Sequence, residues 1–197
     1  MNVNMNDLNN ANTAFGGGSF EHLPSGLYEV TIENVIDNPK PKNGKQARLE
    51  IELEISSGEH TGFFTEAYNK LNFWSLVLFE NYGEESSLPY FKGFIKRLMD
   101  SNPTYKWSND ETKMIGCKLY VSIQATETKS QNGKTYWKYN VQNVYSSKEF
   151  MTKKDYNGNH LATYKDKPLS ENAPSSAQPH AQTYDVNYDI SDNDVQF

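Results

Sequence analysis

Two alternating segments between Lys118 and Tyr145 meet at Gln131-Asn132-Gly133-Lys134, and this pattern constrains the chain to a β-hairpin there. Leu119, Val121, Ile123 and Ala125 share one parity; Lys118, Tyr120, Ser122, Gln124 and Thr126 take the other. After the Asn-Gly turn, Trp137, Tyr139 and Val141 lie on one face, with Tyr136, Lys138, Asn140 and Gln142 on the opposite one. The outward face therefore interleaves aromatic, cationic and amide side chains, a surface able to stack bases and meet phosphates. Aromatic residues in strands also build cores. Tyr139 and Val141 are the core candidates, and Tyr136 with Lys138 the exposed binding pair. Trp137 stays open between the two roles, because parity turns it inward while the neighbouring lysine-bearing turn lets its edge reach a base.

The same two-residue period recurs upstream. Tyr28, Val30 and Ile32 share a face in Leu27 to Val35, and Ala47, Leu49, Ile51, Leu53 and Ile55 alternate with Gln46, Arg48, Glu50, Glu52 and Glu54. Phe63 to Tyr68 reads as a shorter third strand. Between Leu71 and Asp100 the period becomes helical, with Ser87 as an N-cap and Pro89 in the first turn of a second helix. Three strands, a helical insertion and two more strands is the order of a five-stranded, Greek-key barrel of the OB type. Such barrels bind oligonucleotides through strands two and three and the loops joining strands one to two and four to five.

Both of those loops end in Asn-Gly-Lys here. Lys40, Lys42 and Lys45 belong to the first and Lys129 and Lys134 to the second, and flexible lysines beside a stacking surface suit a sugar-phosphate chain. Arg48 and Lys138 are the further phosphate candidates; Phe64 joins Tyr136 and Trp137 as a stacking candidate. Glu50, Glu52 and Glu54 would repel phosphates along most of the second strand. The path is therefore placed across its Gln46 and Arg48 end, with Glu54 outside it.

With 197 residues, 36% hydrophobic, and a net charge of -6, the chain suits one soluble domain with extensions and has no apolar run long enough to span a bilayer. The acidity is unevenly spread. Residues 20–150 hold fifteen basic against seventeen acidic residues, whereas Asp185, Asp189, Asp192 and Asp194 stand near the end with no Lys or Arg beside them. The divisions expected are a flexible arm over 1–19, the barrel domain over 20–150, a flexible linker over 151–184 and an acidic tail over 185–197. The lone Cys117 and the lack of a visible secretory signal fit a reducing cytoplasm, with Cys117 a buried, inert thiol. Scattered histidines and absent metal or nucleophile motifs point away from an enzyme, and no cofactor or metal is expected. Self-association is left open.

The tail places Asp189, Asp192, Asp194, Val195 and Phe197 where a partner would meet a diffuse negative field and then an aromatic tip. It resembles the tail of bacterial and phage single-stranded DNA-binding proteins, an aspartate cluster followed by an aliphatic residue, proline and phenylalanine. Asp192, Asp194, Val195 and Phe197 match that tip; Asn193 stands for an aspartate and Gln196 for the proline. The barrel order and Gly26-Leu27-Tyr28-Glu29-Val30 make the core similar to phage-encoded members as well. The resemblance implies binding of single-stranded DNA with little sequence preference, and recruitment of replication or recombination proteins by the tail, in a bacterial host's cytoplasm. A phage accessory or structural β-domain is the alternative, with the hairpin aromatics as core; a sugar-binding barrel is a third.

Overall fold

Thirteen residues of one strand, Gly26–Asn38, organise the architecture. In the computed structural model, which describes residues 22–42 and 45–169, this strand, β1, pairs with two neighbours at once. Its first half runs antiparallel to β4, Lys118–Lys129, with Gly26 opposite Ile123 and Thr31 opposite Lys118. Its second half runs antiparallel to β2, Arg48–Ile55, with Val30 opposite Ile55 and Asn38 opposite Arg48. The register slips between Ile32 and Asn34, a bulge that adds the twist one strand needs to serve two halves of a curved sheet.

Beyond β2 lies β3, Val77–Asn81, and beyond β4 lies β5, Thr135–Tyr145, giving the order β3-β2-β1-β4-β5. The outer strands β3 and β5 approach each other and nearly close the barrel. Helices α1 (Phe63–Leu71), α2 (Leu88–Ser101) and α3 (Ser147–Thr152), with short 3-10 turns at Glu85–Ser87 and Glu111–Met114, complete the described elements. The five-stranded barrel with a helix between β3 and β4 is therefore the fold of the described residues. Leu49, Ile51, Leu53, Leu119, Val121 and Ile123 fill it, and Phe91, Phe94, Ile95 and Leu98 of α2 join the same buried cluster. Cys117 is half-buried, and burial pushes its thiol upward from the ordinary range.

Two expectations need correction. Phe63 to Tyr68 is the start of α1, and the third strand is Val77–Asn81, inside the stretch whose period looked helical. The helix prevails at Phe63 because Phe64 and Ala67, three residues apart, are buried together, while the Glu54 carboxylate accepts the amides of Phe64 and Thr65 and so caps the first turn.

The second correction concerns 151–184. Residues 151–169 are packed against the barrel instead of forming a linker. Leu161 joins Tyr120 and Tyr145 in a buried cluster, and Asn143 donates to the Tyr164 hydroxyl at 2.8 Å. Gln124 donates to the Lys165 carbonyl at 3.2 Å, and Lys167 adds a parallel bridge to Thr126. This cover explains why both parities of β4 from Leu119 to Ala125 are buried. Residues 170–184, the arm over 1–19 and the tail lie outside the described residues.

Candidate nucleic-acid interface

On β2, the inward residues Leu49 and Ile51 fix Arg48, Glu50 and Glu52 on the outer surface. Antiparallel pairing sets Phe79 opposite Glu50 and Val77 opposite Glu52. Phe79 is 49% exposed, and the Arg48 guanidinium lies 4.2 Å from its ring centroid. The same guanidinium donates to Glu50 Oε1 from Nη2 at 2.7 Å and from Nε at 3.0 Å; Asn38 Nδ2 donates to that oxygen at 2.9 Å. The bonds from Arg48 and then Asn38 hold the Glu50 carboxyl below the ordinary range. An ionised, internally paired Glu50 projects far less negative field than an unpaired one.

The acidic row on β2 is thus mostly disarmed. Glu50 is paired, Glu54 is buried beneath α1, and Glu52 is left beside Val77. What the face presents is a half-exposed aromatic ring beside the paired Arg48 guanidinium, an arrangement in which a base can stack on the ring if the guanidinium exchanges Glu50 for a phosphate. Near the start of β3, Phe73 is 56% exposed and Tyr68 lies 5.8 Å from Trp74, whose indole donates to the Leu53 carbonyl at 3.1 Å. A second aromatic group therefore borders the same strand pair.

The hairpin candidates separate by face. Tyr136, half exposed, stands opposite Thr128, and exposed Lys138 opposite Thr126. Tyr139 is buried, and its hydroxyl accepts the Leu23 amide at 3.3 Å. Trp137 turns towards the chain leading into β1 and stacks on His22, centroids 4.0 Å apart. His22 Nε2 meets Asp166 Oδ2 at 2.7 Å, and Ser25 donates its amide to Asp166 Oδ1 at 2.6 Å. Burial pushes the Asp166 carboxyl upward, but these bonds prevail and hold it below the ordinary range. The hairpin is thus clasped near its turn by the segments before β1 and after α3.

Phe64 must be withdrawn as a stacking residue. It is fully buried, edge-on to Phe63 at 5.1 Å and to Tyr139 at 5.6 Å, and shows no face to a nucleotide. Lys40, Lys42, Lys45, Lys129 and Lys134 are exposed as their loop positions require. The pairing registers put the two loops at opposite ends of β1, since β1 ends at Asn38 beside the first loop and starts at Gly26 opposite Ile123, from which β4 runs on to Lys129. Gly133, φ +81°, supplies the left-handed residue the second turn needs. Asp189, Asp192, Asp194, Val195 and Phe197 lie outside the described residues.

Phe79 and Phe73 were missed because their stretch also satisfies a three-to-four spacing. The signal available was the short alternation in which Leu76 and Leu78 are buried while Phe79 is not. Among the described residues no group of three or more His, Cys, Asp or Glu side chains is placed to hold a metal ion, and no helix is long and apolar enough to cross a membrane. A scan against protein-family models and a search of curated proteins both return no match for the chain.

Proposed function

We propose that the chain binds single-stranded DNA with little sequence preference, across the outer face of β2 and β3, in phage or bacterial DNA replication or recombination. The observation that carries this reading is the exposed Phe79 ring with Arg48 above it at 4.2 Å. It occupies the strand pair through which OB-type barrels bind oligonucleotides. Arg48 touches phosphate, Phe79 stacks a base, and the lysines of the two loops and the hairpin pair Tyr136 and Lys138 extend the contact. The tail from Asp185 recruits replication or recombination proteins, with Phe197 as its anchor.

The test is anisotropy of labelled oligo-dT titrated with the whole chain at several salt concentrations. Binding that weakens steeply as salt rises, and that falls in Phe79→Ala, supports the reading; no salt-sensitive retention of the oligonucleotide rejects it. Exposed Tyr68, Leu71 and Phe73 at the end of α1 favour a second reading, a protein-interaction module. In that case, the same titration gives no binding, and Phe73→Ala weakens retention of a partner protein.

A further inference from the structure

We propose that residues 148–169 form a lysine rail along the outside of β4, which carries the phosphate backbone of a single strand beyond the barrel face. The rail rests on the DNA-binding reading above, and extends it to a segment whose sequence reads as a linker.

Five lysines lie on this stretch: Lys148 on α3, Lys153 and Lys154 at its end, then Lys165 and Lys167. All five are exposed, and none forms an ion pair with a carboxylate among the described residues. The backbone beneath them is held at fixed points. Lys154 bridges to His160, and the Leu161 amide donates to the Lys153 carbonyl at 3.1 Å. Farther on, the Lys167 amide donates to the Ala125 carbonyl at 2.9 Å and the Glu127 amide to the Lys167 carbonyl at 2.8 Å. From Tyr120, against which Leu161 packs, to Thr126, which bridges to Lys167, β4 advances six residues, about 20 Å at strand spacing. Thr126 also stands opposite Lys138, so the rail reaches the hairpin pair directly.

The acids of the same stretch are turned to internal work. Glu149, 2% exposed, pairs with Arg97 at 3.2 Å and accepts the Ser146 amide and hydroxyl at 2.7 and 2.8 Å. Asp155 accepts the amides of Asn157 and Asn159 at 2.9 and 2.8 Å, and Asp166 is held by Ser25 and His22. Each carboxylate is tied down by groups of the chain while the lysines reach solvent, so the segment, with five cations against three anions, keeps a net positive outward field. Lys148 and Lys154 border, with Glu149, Thr152, Asp155 and Tyr156, a concavity of about 110 Å³ at the end of α3, several times the room one water needs. A chain with net charge -6 thus concentrates a net positive line of five lysines on one side of its barrel.

The test compares oligo-dT of roughly 8 and roughly 30 nucleotides, one within and one beyond the site of a single barrel. The variant carries Lys148→Ala, Lys154→Ala, Lys165→Ala and Lys167→Ala in the whole chain, all at exposed positions. On the longer strand we expect a loss of at least about tenfold and a salt slope smaller by about 3, at roughly 0.7 for each phosphate contact given up. The shorter strand should change by less than about threefold, and arginine at the four positions should restore the longer one. Unchanged affinity for both lengths overturns the rail. Equal losses on both overturn it too, since the lysines would then act as a general field and not as an extension. If the wild-type chain binds neither length, the DNA-binding reading itself falls and the rail with it.

Discussion

Glu54 accepts the backbone amide of Phe64 at 3.0 Å, joining the outer side of β2 to the first turn of α1. The carboxylate also takes the amides of Thr65 and Ile55, so a residue that alternation assigns to solvent is a buried helix cap. Replacing Glu54 with alanine strands these donors and should cost on the order of 1–3 kcal/mol of stability. Thermal denaturation should show this directly. On the proposed DNA-binding reading, affinity of the folded variant should stay within about twofold of wild type, because Glu54 lies beneath the helix and not on the proposed face.

Phe79→Ala inverts that pattern. The ring is half exposed, so its removal should change stability by less than about 1 kcal/mol. Loss of a stacking platform should weaken oligo-dT binding by about 1–3 kcal/mol, roughly 5- to 150-fold. Paired melting curves and anisotropy titrations separate the two effects.

Glu52 is the acid left on the β2 and β3 face once Glu50 is paired and Glu54 buried. Glu52→Gln should tighten oligo-dT a few-fold at low salt, and the gain should fade as ionic strength screens the charge. An unaltered affinity at low salt would place the DNA path elsewhere.

Tyr136 and Tyr139 sit three residues apart on opposite faces of β5, and alanine at each should report a different property. Tyr139→Ala empties a buried site against Phe63 and Phe64 and should cost about 3–5 kcal/mol on chemical denaturation. Tyr136→Ala should leave the denaturation midpoint unchanged and weaken DNA binding.

Glu80, on the inward parity of β3, has its carboxyl pushed up to about 8 by burial, against a smaller opposing pull from Arg97. The unfolded chain gives up this proton near the ordinary 4.5 while the folded chain keeps it. This contribution to stability is therefore full below pH 4.5 and lost as pH rises towards 8. Glu80→Gln should flatten that part of the profile and stabilise the fold by about 1–3 kcal/mol near pH 8, with partial hydration at the strand's rim limiting the gain. Denaturation midpoints measured across this range check it.

The strands at Leu27, Ala47 and Lys118 to Tyr145 were legible because each buries one face against a common core, and burial on one face writes itself as alternation. The barrel order was reached with a fifth strand placed at Phe63 to Tyr68 instead of Val77–Asn81, and the exposure of Tyr136 and Lys138 followed from parity at the turn. Elements whose environment comes from elsewhere in the chain were not legible. Phe63 to Tyr68 carries strand-forming residues, but the cap that makes it helical is Glu54, ten residues before Phe64. Val77 to Asn81 is too short for its period to be told from a helix's, and pairing with β2 decides it. Lys153 to Leu169 shows no period because its contacts are single side chains and carbonyls spread along β4. Alternation and turn chemistry are local properties, and by themselves they determined four of the five strands, the hairpin and its outward face. The cap at Glu54, the cation over Phe79 and the lysine line beside β4 each join residues distant in sequence, so only the tertiary structure decided which charges are neutralised and which meet solvent.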